Sequence, residues 1–168
     1  MLTTLLLAAM LLQAVESQQT AVPQSETTST QQHVTMYVYC VDRSTGTVLL
    51  DGQELAKIDR NRIFGVRLSP GQHRMELRST PASPPLIFNV DAGKTYYVRE
   101  ERHLGEVGQS SSAIIGTLGW VQDLTLVTET AQKDIKKKDG TWRVQPTKDS
   151  DIKNHEIVFV PSLNDVIK

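Results

Sequence analysis

Three tyrosines have the type and spacing of a stacking surface. Tyr37 and Tyr39 alternate with apolar residues in the segment 33–41, and Tyr97 lies in a second segment of strand composition. If the two segments are neighbouring strands, the three rings share one face and could stack on a glycan or a peptide. Packing of the rings against each other across the strands is the alternative that this composition favours.

A cluster of serines is the candidate for nucleophilic catalysis. Ser110, Ser111 and Ser112 lie in a glycine-rich stretch, residues 101–119, which has the composition of a long loop. A serine hydroxyl needs a base within hydrogen-bond reach, and no Gly-x-Ser-x-Gly elbow surrounds these residues. A hydrolase with its site in this loop therefore stays an alternative to a non-enzymatic protein.

The remaining reactive side chains are too scattered to form a catalytic set. The histidines lack metal-ligand spacing: they are His33, His73, His103 and His155. His73 falls on the inward parity of its segment and is predicted to be a hydrogen-bonded structural histidine. The single cysteine, Cys40, excludes an intrachain disulfide and is predicted to be a buried, inert thiol. We expect no enzyme activity, no metal and no cofactor.

The balance of charge argues against a nucleic-acid partner. The 168 residues carry 18 basic and 19 acidic side chains, a formal net charge of −1, whereas binding to nucleic acid needs a clustered basic excess. One lysine run, residues 136–138, is flanked by Asp134 and Asp139. It is interpreted as positive charge at the end of a helix, where it complements the helix dipole. An envelope protein or a glycan is the expected kind of partner.

The first 32 residues are predicted to be an export signal and a tether. Residues 2–12 form a short apolar run that suits a secretory signal, with cleavage expected near Ser17, and no membrane span is expected after cleavage. Residues 18–32 are rich in Gln, Ser and Thr and are predicted to be a disordered linker. The protein is therefore expected to be secreted, either into the periplasm or outside the cell.

Short segments with a period of 2 follow, separated by turn residues. Residues 33–41 form the first predicted strand, and Asp51-Gly52 predicts a type I′ hairpin between two apolar segments. Residues 64–78 alternate on both sides of Ser69-Pro70-Gly71-Gln72, which predicts a second hairpin closed by a type II turn. Another turn is predicted around Gly93.

The rest of the chain adds one helix and an edge strand to this pattern. Residues 120–127 form a predicted strand, and a helix is predicted from Thr128 or Thr130 to Lys138, with favourable pairs of Glu129 with Lys133 and Asp134 with Lys138. Residues 156–160 are predicted to form an edge strand, with a site for a partner as the alternative.

The fold class follows from this succession of short strands and turns. It is predicted to be mainly β, a small antiparallel β-sandwich or barrel with one short C-terminal helix. The domain organisation is a signal peptide at 1–17, a linker at 18–32, the sandwich domain at 33–138 and a C-terminal extension at 139–168.

Three turn motifs carry a resemblance to a known family. The segments 49–52 (LLDG), 68–73 (LSPGQH) and 92–99 (AGKTYYVR) occur in an order that resembles a bacterial domain-of-unknown-function family of exported proteins and lipoproteins. That family is similar to the small β-sandwich modules marked by a Pro-Glu-Gly-Ala (PEGA) turn. The resemblance covers residues 34–135 and implies a sandwich fold and export, but no activity and no catalytic residues. This chain departs from the family in lacking a lipobox and in adding a tail.

The leading hypothesis is a non-enzymatic, exported binding or structural module of the cell envelope. Two alternatives stay open: a hydrolase with its site in residues 101–119, and a binder of glycan or peptidoglycan that uses Tyr37, Tyr39 and Tyr97.

Overall fold

The computed structural model describes residues 33–41, 45–79, 83–106, 118–127 and 131–167. Within these ranges the chain forms ten strands, two short α-helices and one 3₁₀ turn at Asp149–Asp151. The strands are β1 Val34–Cys40, β2 Gly46–Leu50, β3 Gln53–Ile58, β4 Arg62–Leu68, β5 Gly71–Arg78, β6 Leu86–Val90, β7 Thr95–Glu106, β8 Leu118–Val127, β9 Gln145–Pro146 and β10 Val158–Phe159. The helices are α1 Ala131–Ile135 and α2 Leu163–Val166.

The strands form two sheets, and the fold is mainly β as predicted. The first sheet has the order β10-β4-β1-β7-β8, with β9 also paired to β4, and the second has the order β3-β2-β5-β6. The second sheet is antiparallel throughout, but the first is mixed, because β1 runs parallel to β7 and β9 runs parallel to β4. A short helix near the C-terminus is confirmed, and α2 is a second one that the sequence pattern did not predict.

The alternation of side chains along β1 divides them between two apolar clusters. Val34, Met36, Val38 and Cys40 face the core between the two sheets, where they meet residues of the second sheet. Tyr37 and Tyr39 face the other way, into a second cluster on the outer face of the first sheet. The period of 2 in the sequence therefore predicted the two faces of this strand correctly.

The predicted hairpin over residues 64–78 is wrong, although both of its strands exist. β4 pairs with β1 in the first sheet, and β5 pairs with β2 and β6 in the second. Ser69 and Pro70 therefore carry the chain from one sheet to the other, and Gly71 has a φ of 133° instead of the value near 80° that a type II turn requires. Alternation showed that each segment buries one face, but it contains no information about which strand is the neighbour.

Two other predicted turns are confirmed. Asp51 and Gly52 have φ values of 50° and 83°, the positive pair that a type I′ turn needs, and they join the antiparallel strands β2 and β3. Gly93 has a φ of 74°, and the Lys94 amide donates a 3.3 Å hydrogen bond to the Asp91 carbonyl. This second turn connects β6 to β7 and so also crosses between the sheets.

Both ends of the stretch predicted to be a loop, residues 101–119, belong to a strand pair. β7 continues to Glu106 and β8 begins at Leu118, and their register extends to the pair formed by these two residues. Residues 107–117, and with them the serine cluster, lie outside the described residues. The glycines of this stretch led to a prediction in which the loop begins before the true end of β7. Glycine has a low strand propensity, but pairing with a long partner strand outweighs it.

Several C-terminal segments of the chain pack on the outer face of the first sheet. Buried side chains from α1, from the segment between α1 and β9, and from α2 join Tyr37 and Tyr39 in the second apolar cluster: these are Ala131, Ile135, Val144 and Val166. β10 adds to the sheet edge, where Val158 pairs with Val66 and Phe159 with Gly65. α1, the segment around Val144 and α2 therefore cover the face on which the candidate tyrosines lie.

Candidate functional site

The three candidate tyrosines share one face, and their rings are covered. Tyr37 and Tyr97 are register partners on β1 and β7, with ring centroids 5.6 Å apart and planes tilted by 31°. Tyr37 is 5% exposed, Tyr39 is fully buried and Tyr97 is half-buried. The edge of a Phe159 ring also meets Tyr37, with the centroids 6.2 Å apart. The rings pack across the strands and under the C-terminal segment, so they do not form an open stacking surface.

The hydroxyl groups of these tyrosines are used within the protein. Tyr97 donates a 2.6 Å hydrogen bond to the Val166 carbonyl, and Tyr37 donates a longer one of 3.4 Å to the Asp165 carbonyl. Burial raises the pKa of both phenols. The opening that remains beside the two rings is a cavity of about 310 Å³, which Asp165 and Val166 help to line.

Tyr39 joins a partly buried charged group between the sheet and α1. Its hydroxyl donates a 2.9 Å hydrogen bond to Oδ2 of Asp134, and Nη1 of Arg99 lies 3.0 Å from the same oxygen. Arg99 is also hydrogen-bonded to Glu101. Burial, reinforced by the Asp134 carboxylate, raises the pKa of Tyr39 well above its usual range. Burial alone would lower the pKa of Arg99, but the bond to Asp134 and the two carboxylate charges raise it.

His73 is held by two hydrogen bonds at the turn between β2 and β3. Its Nδ1 lies 2.7 Å from Oδ2 of Asp51, and its Nε2 donates to the Ser69 carbonyl at 2.9 Å. Burial of the ring lowers its pKa, but these two bonds outweigh burial and the net shift is upward. His73 therefore ties the turn of one sheet to the segment that crosses between the sheets, which is a structural role.

The other described histidines do not gather into a site. Nε2 of His103 on β7 lies 3.4 Å from Oδ2 of Asp123 on β8. Nδ1 of His155 lies 3.7 Å from Oδ1 of Asp149. In the described ranges, no group of three or more His, Cys, Asp or Glu side chains is placed to hold a metal ion. Nor is any helix in those ranges long and apolar enough to cross a membrane.

The lysine run lies past α1, in a tight turn. α1 ends at Ile135, and the Arg143 amide donates a 2.8 Å hydrogen bond back to the Ile135 carbonyl. The Lys137 amide donates to the Thr141 carbonyl at 2.8 Å, which closes the turn. Gly140, with a φ of 85°, supplies the positive φ that this reversal needs. The helix has only five residues, so the interaction of its dipole with the three lysines is weak and does not explain their position.

A cleft with a basic rim lies between α1, this turn and the end of α2. Its volume is about 380 Å³, and a second cavity of about 370 Å³ adjoins it, because both are lined by Lys137 and Arg143. All the cationic side chains of the first cavity are exposed to solvent: Lys133, Lys136, Lys137, Lys138 and Arg143. Ile167 and the aliphatic stems of the lysines provide its apolar part.

These five cationic groups form no salt bridge with any carboxylate that the structure describes. The predicted pair of Asp134 with Lys138 is wrong, because Asp134 is taken up by Tyr39 and Arg99. The predicted partner of Lys133, Glu129, lies outside the described residues.

The second flanking carboxylate is also engaged. Asp139 accepts hydrogen bonds from the Thr141 amide at 2.9 Å and from the Thr141 hydroxyl at 2.7 Å, and these bonds lower its pKa. Asp139 serves the turn and forms no salt bridge with a described lysine of the cleft, while the charge of Lys137 adds to the lowering of its pKa. Asp134 and Asp139 flank the lysine run in the sequence, but in the described residues neither of them forms a salt bridge with a lysine of that run.

Trp142 completes the wall of the second cavity. The Lys136 ammonium lies 4.9 Å from the centroid of the indole ring, a cation–π contact, and the two residues form an isolated β-bridge. The sequence pattern pointed to the lysine run alone and did not connect it with Trp142. The signal that would have done so is the presence of five cationic residues and one aromatic residue within residues 133–143.

Comparison of the chain with protein-family models, with curated proteins and with solved structures found no match. The resemblance to the PEGA-like family therefore rests on its three turn motifs alone.

Proposed function

We propose that this chain is a non-enzymatic, exported module of the cell envelope that binds an anionic partner through the basic cleft. The observation that carries the proposal is the set of five cationic groups around one cavity, none of them paired with a described carboxylate. Like charges held close together repel one another and lower the stability of the fold. Binding of an anionic partner would offset that repulsion, because the negative charges of the partner attract several of the cationic groups at once.

The cleft is better suited to a partner than the tyrosine face is. Its cationic side chains are exposed, whereas Tyr37 and Tyr39 are buried beneath α1, Val144 and α2. The signal-like residues 2–12 and the resemblance to an exported family support the envelope as the compartment. The partner is accordingly an anionic component of the envelope.

Retention on isolated cell envelopes tests the proposed surface. The variant Lys137→Glu/Lys138→Glu reverses two charges of the cleft, and we expect it to lose most of the retention that the unmodified chain shows at low salt. Raising the ionic strength from about 0.05 M to about 0.5 M should release the unmodified chain in the same way, because salt screens exposed charges.

The matched control is Lys57→Glu/Lys153→Glu. Both lysines are exposed and neither lines the cleft, so the control changes the net charge by the same amount at another place. We expect it to be retained like the unmodified chain. Equal loss of retention in both variants would mean that only net charge matters and would overturn the proposed surface.

Export and the absence of catalysis have their own tests. Mass spectrometry of the secreted or periplasmic protein should find a mature N-terminus near residue 18, and detection of the full-length chain only inside the cell would contradict export. General esterase and glycosidase substrates should not be turned over. Turnover that is lost on replacing Ser110, Ser111 and Ser112 by alanine would contradict the non-enzymatic assignment.

A further inference from the structure

The second cavity of the cleft has walls of a different chemistry from the first. It is lined by Val41 and Trp142, by Asn61 and Gln145, whose side chains are primary amides, and by the two cationic residues that it shares with the first cavity. An apolar wall suits the C–H face of a sugar ring, and primary amides can both donate to and accept from hydroxyl groups. The cationic residues at the boundary suit a negatively charged substituent.

The two amides are held on neighbouring, hydrogen-bonded segments. β9 runs parallel to β4 beside Arg62, and the backbone N–H of Gln145 donates a 2.8 Å hydrogen bond to the backbone carbonyl of Asn61. Nη1 of Arg62 donates a 2.9 Å bond to the Pro146 carbonyl and so fixes the same pair of segments. Because the backbone beneath the amides is already ordered, a ligand does not have to order it on binding.

The side-chain amides themselves are available for a ligand. Gln145 is exposed and Asn61 is half-buried. Neither side chain makes a hydrogen bond to another described residue. A membrane surface or an acidic peptide would use the cationic rim, but neither would need a hydroxyl-binding pocket of about 370 Å³ beside it.

We propose that the ligand of the cleft is an anionic glycan, with one sugar ring in the cavity formed by Trp142, Asn61 and Gln145 and its acidic groups on the lysines of the adjoining cavity. This inference rests on the proposed function and specifies its ligand. The combined volume of the two cavities accommodates more than one sugar residue. The proposed partner is therefore an oligosaccharide or a polysaccharide and not a single sugar.

Binding of defined oligosaccharides to the full chain tests the inference. The probes are an oligogalacturonate, which carries carboxylates, a heparin hexasaccharide, which carries sulfates, and a neutral maltohexaose. We expect at least one acidic probe to bind and the neutral probe to bind at least tenfold more weakly, about the ratio that the loss of two exposed charge pairs produces. Failure of both acidic probes to bind would overturn the inference.

Two variants distinguish the contribution of the Gln145 amide to binding from the contribution of the lysine charges. Gln145→Ala should weaken binding of the acidic oligosaccharide about threefold or more, the effect of one lost hydrogen bond, and Gln72→Ala, an exposed amide on β5, is its control. Lys137→Glu should weaken it about tenfold, because a repulsion replaces an attraction. If Gln145→Ala weakens binding no more than its control does, the result would contradict a sugar ring in the second cavity.

Competing macromolecules show which class of partner the cleft selects. Poly-L-glutamate, vesicles with phosphatidylglycerol and a single-stranded oligonucleotide should each bind more weakly than the acidic oligosaccharide. If one of them binds more tightly, in a manner that depends on Lys137 but not on Gln145, the glycan inference fails while the cleft remains the binding surface. If Lys137→Glu/Lys138→Glu leaves retention on envelopes unchanged, it is the proposed function that fails.

Discussion

The hydroxyl of Tyr39 and the carboxylate of Asp134 are joined by a 2.9 Å hydrogen bond across 95 residues of sequence. This bond, together with the 3.0 Å contact from Arg99 to the same oxygen, fixes α1 to the outer face of the first sheet. It also occupies the carboxylate that would otherwise lie beside the lysine run. The two contacts thus anchor α1 and engage the Asp134 carboxylate with Arg99 instead of with a lysine of the run.

The buried tyrosines should make the protein sensitive to alkali. Burial and then the Asp134 carboxylate raise the pKa of Tyr39 above its ordinary value of 10.0, and burial raises the pKa of Tyr37 and Tyr97. A raised pKa in the folded state means that stability is fully present below about pH 10 and is lost as the pH rises above it. Urea denaturation between about pH 8 and pH 11 should show this decline.

Replacing Tyr39 by phenylalanine isolates its share of that effect. Tyr39→Phe should lower the free energy of unfolding by about 1 kcal/mol at neutral pH, because Asp134 loses a hydrogen-bond donor, and it should make the decline above pH 10 less steep. Tyr96→Phe, which alters an exposed turn hydroxyl, is the control and should keep the unmodified slope. An unchanged slope in Tyr39→Phe would contradict the assignment.

The pair of His73 and Asp51 should stabilise the protein in mildly acidic solution. Hydrogen bonds to Asp51 and to the Ser69 carbonyl outweigh burial, so the pKa of His73 is raised. Its contribution is therefore fully present below the ordinary histidine pKa of 6.5 and is lost as the pH rises through the folded-state pKa. Asp51→Asn should cost more stability at about pH 5.5 than at about pH 8.5.

Asparagine suits this test because Asp51 has a φ of 50°, a value that asparagine tolerates. The amide oxygen can still accept the 2.9 Å hydrogen bond from the Arg74 backbone. An equal loss of stability at both pH values would show that the turn, and not the ion pair, is responsible.

Gly65 should be intolerant of any side chain because Phe159 lies against it. A Cβ at Gly65 would overlap the Phe159 ring, which packs against the edge of the sheet through β10. We expect Gly65→Ala to lower the free energy of unfolding by about 1 to 3 kcal/mol, the usual cost of overpacking. Phe159→Leu should relieve part of that cost in the double variant. A double-mutant cycle measured by urea denaturation tests the contact. If the changes in the free energy of unfolding of the two single variants add up to that of the double variant, the contact is contradicted.

Gly52 should be sensitive to backbone conformation alone. It has a φ of 83°, and no atom lies within 4 Å of the place where a Cβ would be. Gly52→Ala should therefore lower the free energy of unfolding by about 1 kcal/mol through the left-handed conformation, and Gly52→Asn should cost less because asparagine adopts it more readily. Equal costs for the two variants in urea denaturation would contradict a type I′ turn.

The features that the sequence predicted well are those that depend on neighbouring residues. Strand β1 and its two faces follow from the alternation of Val34 to Cys40, and the turn at Asp51-Gly52 follows from the backbone preferences of those two residues. Both are local, because side-chain direction and φ are set within a few residues of the chain.

The pairing of strands and the charge of the cleft were decided only by the tertiary structure. β4 and β5 separate into different sheets because each finds its hydrogen-bond partners in distant strands, which alternation does not identify. Likewise, Asp134 lies four residues before Lys138 in sequence but bonds to Tyr39 and Arg99 in space. A carboxylate neutralises the charge that it contacts, and contacts between distant segments form only when the whole chain folds.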